Sequence, residues 1–177
     1  MVLTNIIEAY KNGNQKSAKD LYLHSHRLLF ATALCYVSHE SAAKDILQNT
    51  YEKIYAHVDE IILDSDAMVV AWMKKICINE SLMYIRRKKN WDKLQINTNV
   101  EAYLPQYDFE HKEAYKLLYN LPEQKRICFS LYAIEGYSHK EIAEQLQIKE
   151  SYSRTQVARA RKLLASLLQK DSINEAS

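Results

Sequence analysis

The chain is 177 residues long, and 47% of its residues are hydrophobic, which is enough to form a buried core. It has only two glycines and two prolines, and this scarcity disfavours β-sandwiches, β-barrels and Gly-rich phosphate loops, which need many tight turns. The net charge of +2 is unevenly distributed: residues 72–93 carry seven Lys or Arg against two carboxylates, and residues 149–170 carry six against one, which leaves −8 on the remainder. Two basic islands on an acidic body indicate two separate contacts with a polyanion, although two solvated basic helix faces would give the same pattern.

The first two predicted helices carry apolar residues at helical spacing. The first covers about residues 15–37, and one face is expected to be buried: Leu21, Leu28, Leu29, Thr32 and Tyr36. The second covers about residues 40–57, with Ser38 or Ser41 as its N-cap. Its predicted buried stripe recurs at i, i+3 and i+4: Ala43, Ile46, Leu47, Thr50, Tyr51 and Ile54. Its opposite face is polar: Lys44, Asp45, Gln48, Asn49, Glu52 and Lys53.

An acidic, partly apolar loop at residues 58–66 precedes the third predicted helix. This helix begins near Asp66, and residues 64–66 are expected to supply the oxygens that cap it. It is expected to bury Val69, Trp72, Met73 and Ile76 and then to run into the basic residues Arg86, Arg87, Lys88 and Lys89. We interpret these three helices as one compact unit.

Residues 94–111 lose the apolar period and contain Pro105, so we predict a linker there. A second helical unit is expected to begin near Lys112. Within it, Pro122 is typical of a helix start, because proline is tolerated in a first turn. That helix is expected to reach about Glu135 and to end at Gly136.

The most specific local pattern follows Gly136. Ser138 and Glu141 have the spacing of a capping box, in which each side chain accepts a hydrogen bond from the other residue's backbone N–H. The short helix that they open is followed by a turn at residues 147–149 and by a basic helix from about 151 to 169. A short helix, a tight turn and a basic helix are typical of a helix-turn-helix.

The last helix separates basic from apolar positions. Arg154, Thr155, Ala158, Arg159 and Lys162 share one face, with Gln156 and Arg161 beside it, while Val157, Ala160, Leu163, Leu164 and Leu167 are expected to point inward. Such a helix fits the major groove, where arginine pairs with guanine and glutamine with adenine. The residues further along the helix are better placed to contact phosphates.

Three blocks of this sequence resemble the extracytoplasmic-function (ECF) group of sigma-70 family RNA polymerase sigma factors. Residues 121–164, with EGYSHKEIAEQL and SRTQVARARKLL, are similar to sigma region 4. AKDILQNTYEKIY (43–55) resembles region 2.2, and WMKKICINESLMYIRRKK (72–89) resembles regions 2.3 and 2.4. One helix-turn-helix occurs in many regulators, but three blocks in this order are specific.

The resemblance implies an all-α fold of two small helical domains joined by a flexible linker. Residues 1–93 would form region 2, 94–111 the linker, 112–170 the region 4 helix-turn-helix, and 171–177 a tail. The implied partners are core RNA polymerase and promoter DNA, with an anti-sigma factor as a further candidate.

The resemblance also implies a role for particular residues. Polymerase would be bound by Asp45, Gln48, Asn49 and Glu52. The −10 element would be held by Asn79, Arg86, Arg87, Lys88 and Lys89. The −35 element would be contacted by Arg154, Thr155, Gln156, Ala158, Arg159, Arg161 and Lys162.

The chain departs from the family pattern at several of these positions. Asn49 stands where the family usually has an acidic residue, and Ile78 and Met83 replace residues that are often polar. Gln147 replaces the usual turn glycine, which suggests a helix-compatible or slightly different turn, and Ser153 stands where a buried aliphatic residue is common. Two alternatives stay open: Trp91 stacks on a base or anchors the linker, and residues 61–63 wall a pocket for a flipped base or cap the core.

Other classes of function find little support. Cys35, Cys77 and Cys128 lack metal-type spacing and are expected to be buried reduced thiols. His24 and His26 are two residues apart, which on a helix does not direct both at one metal. We expect no enzyme activity, cofactor, metal or membrane insertion, and a cytoplasmic protein. The main alternative is a helix-turn-helix transcriptional regulator that acts without core polymerase.

Overall fold

The computed structural model describes residues 2–37, 39–62, 64–87 and 112–174, without the side chains of 112–114 and 170–174. The predicted linker 94–111, Ser38, Leu63, Lys88, Lys89 and Trp91 lie outside this description. The described residues form helices and connecting turns, and the predicted all-α fold class is confirmed. The chain divides into two compact units, Met1–Leu34 with His39–Tyr84, and Cys35–Ser38 with Ile85–Ser177.

The first unit contains α1 (Val2–Lys11), α3 (Glu40–His57), a 3-10 turn at Val58–Glu60 and all but the last residues of two long helices, α2 (Lys16–Tyr36) and α4 (Asp66–Arg87). Three of them match the predicted helices, but α1 was not predicted. Its first turn is held from a distance by Asp66, whose carboxylate accepts from the Val2 N–H at 2.6 Å and the Thr4 N–H at 2.9 Å. The hydrogen bond from the Thr4 backbone, above all, holds the pKa of Asp66 well below its ordinary value.

The predicted helix caps were partly wrong. The cap of α4 comes from residues 64–66 as predicted: Ser65 Oγ accepts from the Met68 N–H at 3.3 Å, whereas the Asp66 carboxylate holds the start of α1. At the start of α3 the N-cap residue is His39, with no side-chain hydrogen bond, and Ser41 lies inside the helix.

The buried residues of the first unit largely match the predicted inward faces of α2 and α3, whereas in α4 a partly different set is buried. All six predicted residues of α3 are buried, as are four of five in α2, where Leu28 is half-buried. In α4, Trp72 and Ile76 are half-buried, while Cys77 and Ile78 are fully buried. Cys77 Sγ lies 3.4 Å from the carbonyl oxygen of Leu29, so this side of α4 packs against α2.

The second unit contains α5 (Lys112–Tyr119), α6 (Glu123–Phe129), α7 (His139–Leu146) and α8 (Glu150–Asn174). Pro122 is the N-cap of α6, as its sequence predicts. A π-helical turn, Ser130–Ile134, continues α6 to the predicted stop. There Gly136 has a φ of +75°, which a glycine adopts without steric cost, and the next N–H, of Tyr137, donates to Leu131 O at 2.9 Å.

The helix-turn-helix has the predicted capping box and an unexpected turn. The Ser138 N–H donates to Glu141 Oε2 at 2.8 Å, and the Glu141 N–H donates to Ser138 Oγ at 3.2 Å. Gln147 adopts the left-handed conformation, with φ 55° and ψ 44°. Of the two expected turns, the helix-compatible one is therefore wrong: Gln147 adopts the left-handed backbone that favours glycine, so α7 ends there and α8 begins three residues later.

Candidate functional site

The exposed face of α8 contains six of the seven predicted −35 residues: Arg154, Thr155, Ala158, Arg159, Arg161 and Lys162. Gln156 is the exception, because only 4% of it is exposed. Its assignment to the reading face is corrected: with Ser153, Val157 and Ala160 it forms the i, i+3, i+4, i+7 stripe that packs inward. Leu163, expected to be inward, is exposed instead.

Two residues of the exposed face already have partners within α8. Arg154 Nη2 lies 2.5 Å from Glu150 Oε1, an ion pair one turn apart. Thr155 Oγ1 donates to the carbonyl oxygen of Ser151 at 2.9 Å, so its hydroxyl oxygen keeps acceptor capacity. An exposed pair of this kind contributes about 0.3–0.5 kcal/mol, so Arg154 exchanges Glu150 for a base or a phosphate at low cost.

A polar contact lies beneath α8 where an aliphatic residue was expected. Ser153 is fully buried, and its Oγ lies 3.1 Å from Nδ1 of His139, the first residue of α7. Burial, followed by the positive charge of Arg154, lowers the pKa of His139 below its ordinary value. The only indication of this contact in the sequence is the serine at position 153, where an aliphatic residue was expected.

The end of α4 presents the described part of the predicted −10 surface. Asn79, Arg86 and Arg87 are exposed, and Asn79 and Arg86 share a face because they are seven residues apart. Ile78 is fully buried and belongs to the core.

Residues 58–62 of the loop divide between two roles. Val58 is buried and closes the core, whereas Ile62 is 71% exposed. The backbone between them is held by Lys11, whose Nζ donates to Asp59 O at 3.3 Å and Ile61 O at 2.9 Å. The loop therefore caps the core at its start and presents an apolar side chain further on.

The polar face of α3 is available for a partner. Asp45, Gln48, Asn49 and Glu52 are all exposed, and Gln48 Nε2 donates to Glu52 Oε1 at 3.2 Å. Next to this face, α2 and α3 enclose a groove of about 450 Å³, lined by Tyr22, Lys44, Leu47, Gln48, Tyr51, Glu52 and Tyr55.

Sequence reasoning missed this groove, because Tyr22 and Tyr51 come from different helices. Their ring centroids lie 5.1 Å apart, and those of Tyr51 and Tyr55 lie 6.0 Å apart. The Tyr51 hydroxyl lies 2.7 Å from Ser25 Oγ, and burial raises its pKa well above the ordinary value. These tyrosines therefore present an aromatic wall beside the polar face.

Two further observations concern the rest of the described chain. All three cysteines are buried as predicted, and burial raises the pKa of Cys128 to about 12. Within residues 2–37, 39–62, 64–87 and 112–174, no group of three His, Cys, Asp or Glu is placed to hold a metal ion. None of the described helices combines the length and the hydropathy that a transmembrane span requires.

Two protein-family models match this chain, one mainly in its first half and one in its second. The model of sigma-70 region 2 matches residues 21–91, and the model of sigma-70, region 4, matches residues 111–164. The first match contains α3 and the exposed end of α4, and the second contains the helix-turn-helix.

Individual relatives agree with this result. The chain is 29% identical to RNA polymerase sigma factor SigZ of Bacillus subtilis, over 85% of this chain and 86% of that protein. It is 23% identical to the ECF RNA polymerase sigma-E factor of Haemophilus influenzae, over 93% and 94% of the two chains. The solved structure of CnrH in complex with the cytosolic domain of CnrY has a similar fold, with a TM-score of 0.52 and 21% identity over 97% of this chain and 99% of that one. The chain belongs to the sigma-70 family of RNA polymerase sigma factors, in its extracytoplasmic-function group.

Proposed function

We propose that this sigma factor binds core RNA polymerase, directs it to specific promoters and helps to melt the −10 element. The observation that carries the proposal is the exposed polar face of α3: Asp45, Gln48, Asn49 and Glu52. The buried stripe of α3 packs into the core, and these four side chains are exposed on the opposite side of the helix. A helix-turn-helix regulator that acts without polymerase would not need such a face.

The −35 element is assigned to the exposed face of α8. Arg154, Thr155, Ala158 and Arg159 lie in its first three turns, where a recognition helix contacts base edges. The small Ala158 allows close approach to the groove. Arg161 and Lys162 lie further along and are assigned to phosphates, and Gln156 is left out because it is buried.

The −10 element is assigned to α4 and the residues after it. Asn79 and Arg86 share an exposed face, and Arg87 adds a second exposed cation beside it. Lys88 and Lys89 complete this assignment on the sequence alone.

The proposed domains are region 2 at 1–93, a linker at 94–111, region 4 at 112–170 and a tail at 171–177. Core polymerase and promoter DNA are the proposed partners, with an anti-sigma factor as a further one. We propose an initiation factor in the cytoplasm that has no enzymatic activity of its own.

Polymerase binding is tested with the purified full chain and core enzyme without DNA. Combined Gln48→Ala and Asn49→Ala should weaken core binding at least tenfold, the loss expected when about 1.4 kcal/mol of interface free energy is removed. The matched control is Lys19→Ala with Asp20→Ala, two exposed residues of α2. If the chain binds specific duplex DNA as a dimer and never binds core polymerase, the regulator alternative is correct.

The −35 assignment is tested with a promoter duplex selected by the holoenzyme and a scrambled duplex. Arg154→Ala should cost about 1–3 kcal/mol on the selected duplex and little on the scrambled one, because a bidentate pair with a base discriminates by that amount. Lys162→Ala should weaken both duplexes similarly. An equal loss on both duplexes for Arg154→Ala would show that Arg154 contacts phosphate.

The −10 assignment is tested by permanganate footprinting of the open complex. Combined Arg86→Ala and Arg87→Ala should reduce strand opening while −35 binding persists, because the two arginines lie at the end of α4, which is assigned to the −10 element. Unchanged opening would remove both residues from the mechanism.

A further inference from the structure

A cluster of three side chains lies beside the recognition helix. Tyr132, on the π-helical turn, stacks against His139 of α7, with ring centroids 4.3 Å apart and planes 11° apart. The guanidinium of Arg161 lies over the same Tyr132 ring, 5.4 Å from its centroid. The cluster therefore joins three elements of the second unit through one tyrosine.

Two members of the cluster, His139 and Tyr132, are held in place by a further contact or by the backbone. His139 Nδ1 lies 3.1 Å from the buried Oγ of Ser153, which fixes the imidazole against α8. The backbone of Tyr132 is set by the π-helical turn, in which the Glu135 N–H donates to Ser130 O at 3.0 Å. Turns of this type occur often at functional sites, and here the turn determines where the tyrosine ring lies.

Arg161 is the member of the cluster that also faces solvent. It is exposed, and it lies seven residues after Arg154, so both arginines lie along the same edge of α8. An exposed arginine loses rotamer freedom when it binds a phosphate. An aromatic face that already restricts the guanidinium reduces this loss, which strengthens binding without a new contact to DNA.

We propose that Tyr132 and His139 are positioning residues that hold Arg161 in the orientation in which it contacts the DNA backbone. Tyr132 restricts the guanidinium directly, and His139 acts through Tyr132 by fixing the ring from its contact with Ser153. The inference rests on the proposed role of α8 in DNA binding and adds two residues outside the recognition helix to it.

The test measures binding of the full chain to a fluorescein-labelled 20-base-pair duplex of arbitrary sequence at several salt concentrations, since a phosphate contact does not require the promoter sequence. Arg161→Ala should lower the salt slope by about 0.9, the value for one phosphate contact. Tyr132→Leu should weaken binding about two- to fivefold. Tyr132→Phe keeps an aromatic face over Arg161, so its affinity should equal that of the unsubstituted chain. His139→Ala should weaken binding in the same direction as Tyr132→Leu.

The double variant separates positioning from packing. If Tyr132 acts through Arg161, Tyr132→Leu in the Arg161→Ala background should cause no further loss of affinity. A full additional loss in that background, or a Phe variant as weak as the Leu variant, overturns the proposal. Tighter binding by Tyr132→Leu would also overturn it, because the ring would then be withholding Arg161 from DNA.

Controls separate this inference from the proposed function. Arg27→Ala removes one exposed cation from α2 and should leave the salt slope unchanged. If Lys162→Ala weakens binding but Arg161→Ala does not, DNA binding by α8 stands and the positioning proposal falls. If the unsubstituted chain does not bind the duplex even at low salt, both are overturned.

Discussion

Replacement of Gln147 by glycine should stabilise the helix-turn-helix. The Gln147 side chain is exposed, and its backbone has a φ of 55° and a ψ of 44°, so the residue is held in the left-handed region for the sake of the turn. For a residue with a Cβ that conformation costs about 1–2 kcal/mol. Glycine removes the cost but has a more disordered unfolded state, which offsets about 0.4–1 kcal/mol of the gain.

The net expectation is a stabilisation of about 0.5–1 kcal/mol by Gln147→Gly. Amide hydrogen exchange in the full chain measures it locally, and protected amides of α7 and α8, such as that of Val157, should exchange roughly two- to fivefold more slowly. Amides of α3 provide the internal reference, because this helix lies in the other unit.

Gln147→Ala is the matched control, since alanine shortens the side chain and keeps the Cβ. It should leave exchange in α7 and α8 nearly unchanged. If alanine stabilises as much as glycine, the gain comes from losing the glutamine side chain and not from the left-handed backbone. If glycine accelerates exchange, the reasoning about the turn is wrong.

Three further predictions follow from named contacts. Glu150→Gln removes the ion-pair partner of Arg154, and it should raise affinity for duplex DNA roughly two- to threefold in an anisotropy titration. Burial lowers the pKa of His139, so this imidazole binds a proton more readily in the unfolded chain than in the folded one. The stability of the second unit should therefore fall as the pH drops below 6.5. In thermal unfolding measured at several pH values, His139→Gln should remove this dependence. Asp66→Asn should accelerate amide exchange in α1 while exchange in α3 is unchanged, because the three hydrogen bonds that Asp66 accepts from Val2 and Thr4 hold the start of α1.

The sequence alone was sufficient to predict the features that depend on residues close together along the chain. The capping box of Ser138 and Glu141, the start of α6 after Pro122 and the stop at Gly136 are local backbone preferences, and each lies at its predicted position. The polar face of α3 was predictable for the same reason, since an apolar stripe at i, i+3 and i+4 defines the opposite face as exposed.

The tertiary structure decided which side chains meet when they are far apart along the chain. The start of α1 is held by Asp66, more than sixty residues away, and no local pattern in the sequence reveals this contact. Gln156 looks like a reading residue by its type, but the buried Ser153 and Val157 place it on the inward stripe of α8. The type of a single side chain does not determine which face of a helix packs against its neighbour.

The same distinction holds for the surfaces that carry function. The sequence by itself determined that α8 is basic on one face and that α3 is polar on one face, because helical periodicity assigns each residue to a face. Only the folded chain placed Tyr22 opposite Tyr51 to form a groove, and Tyr132 between His139 and Arg161 in the basic helix-turn-helix. Such pairs depend on side-chain packing between separate elements, which is set by the combined shape of the whole core and not by any local preference.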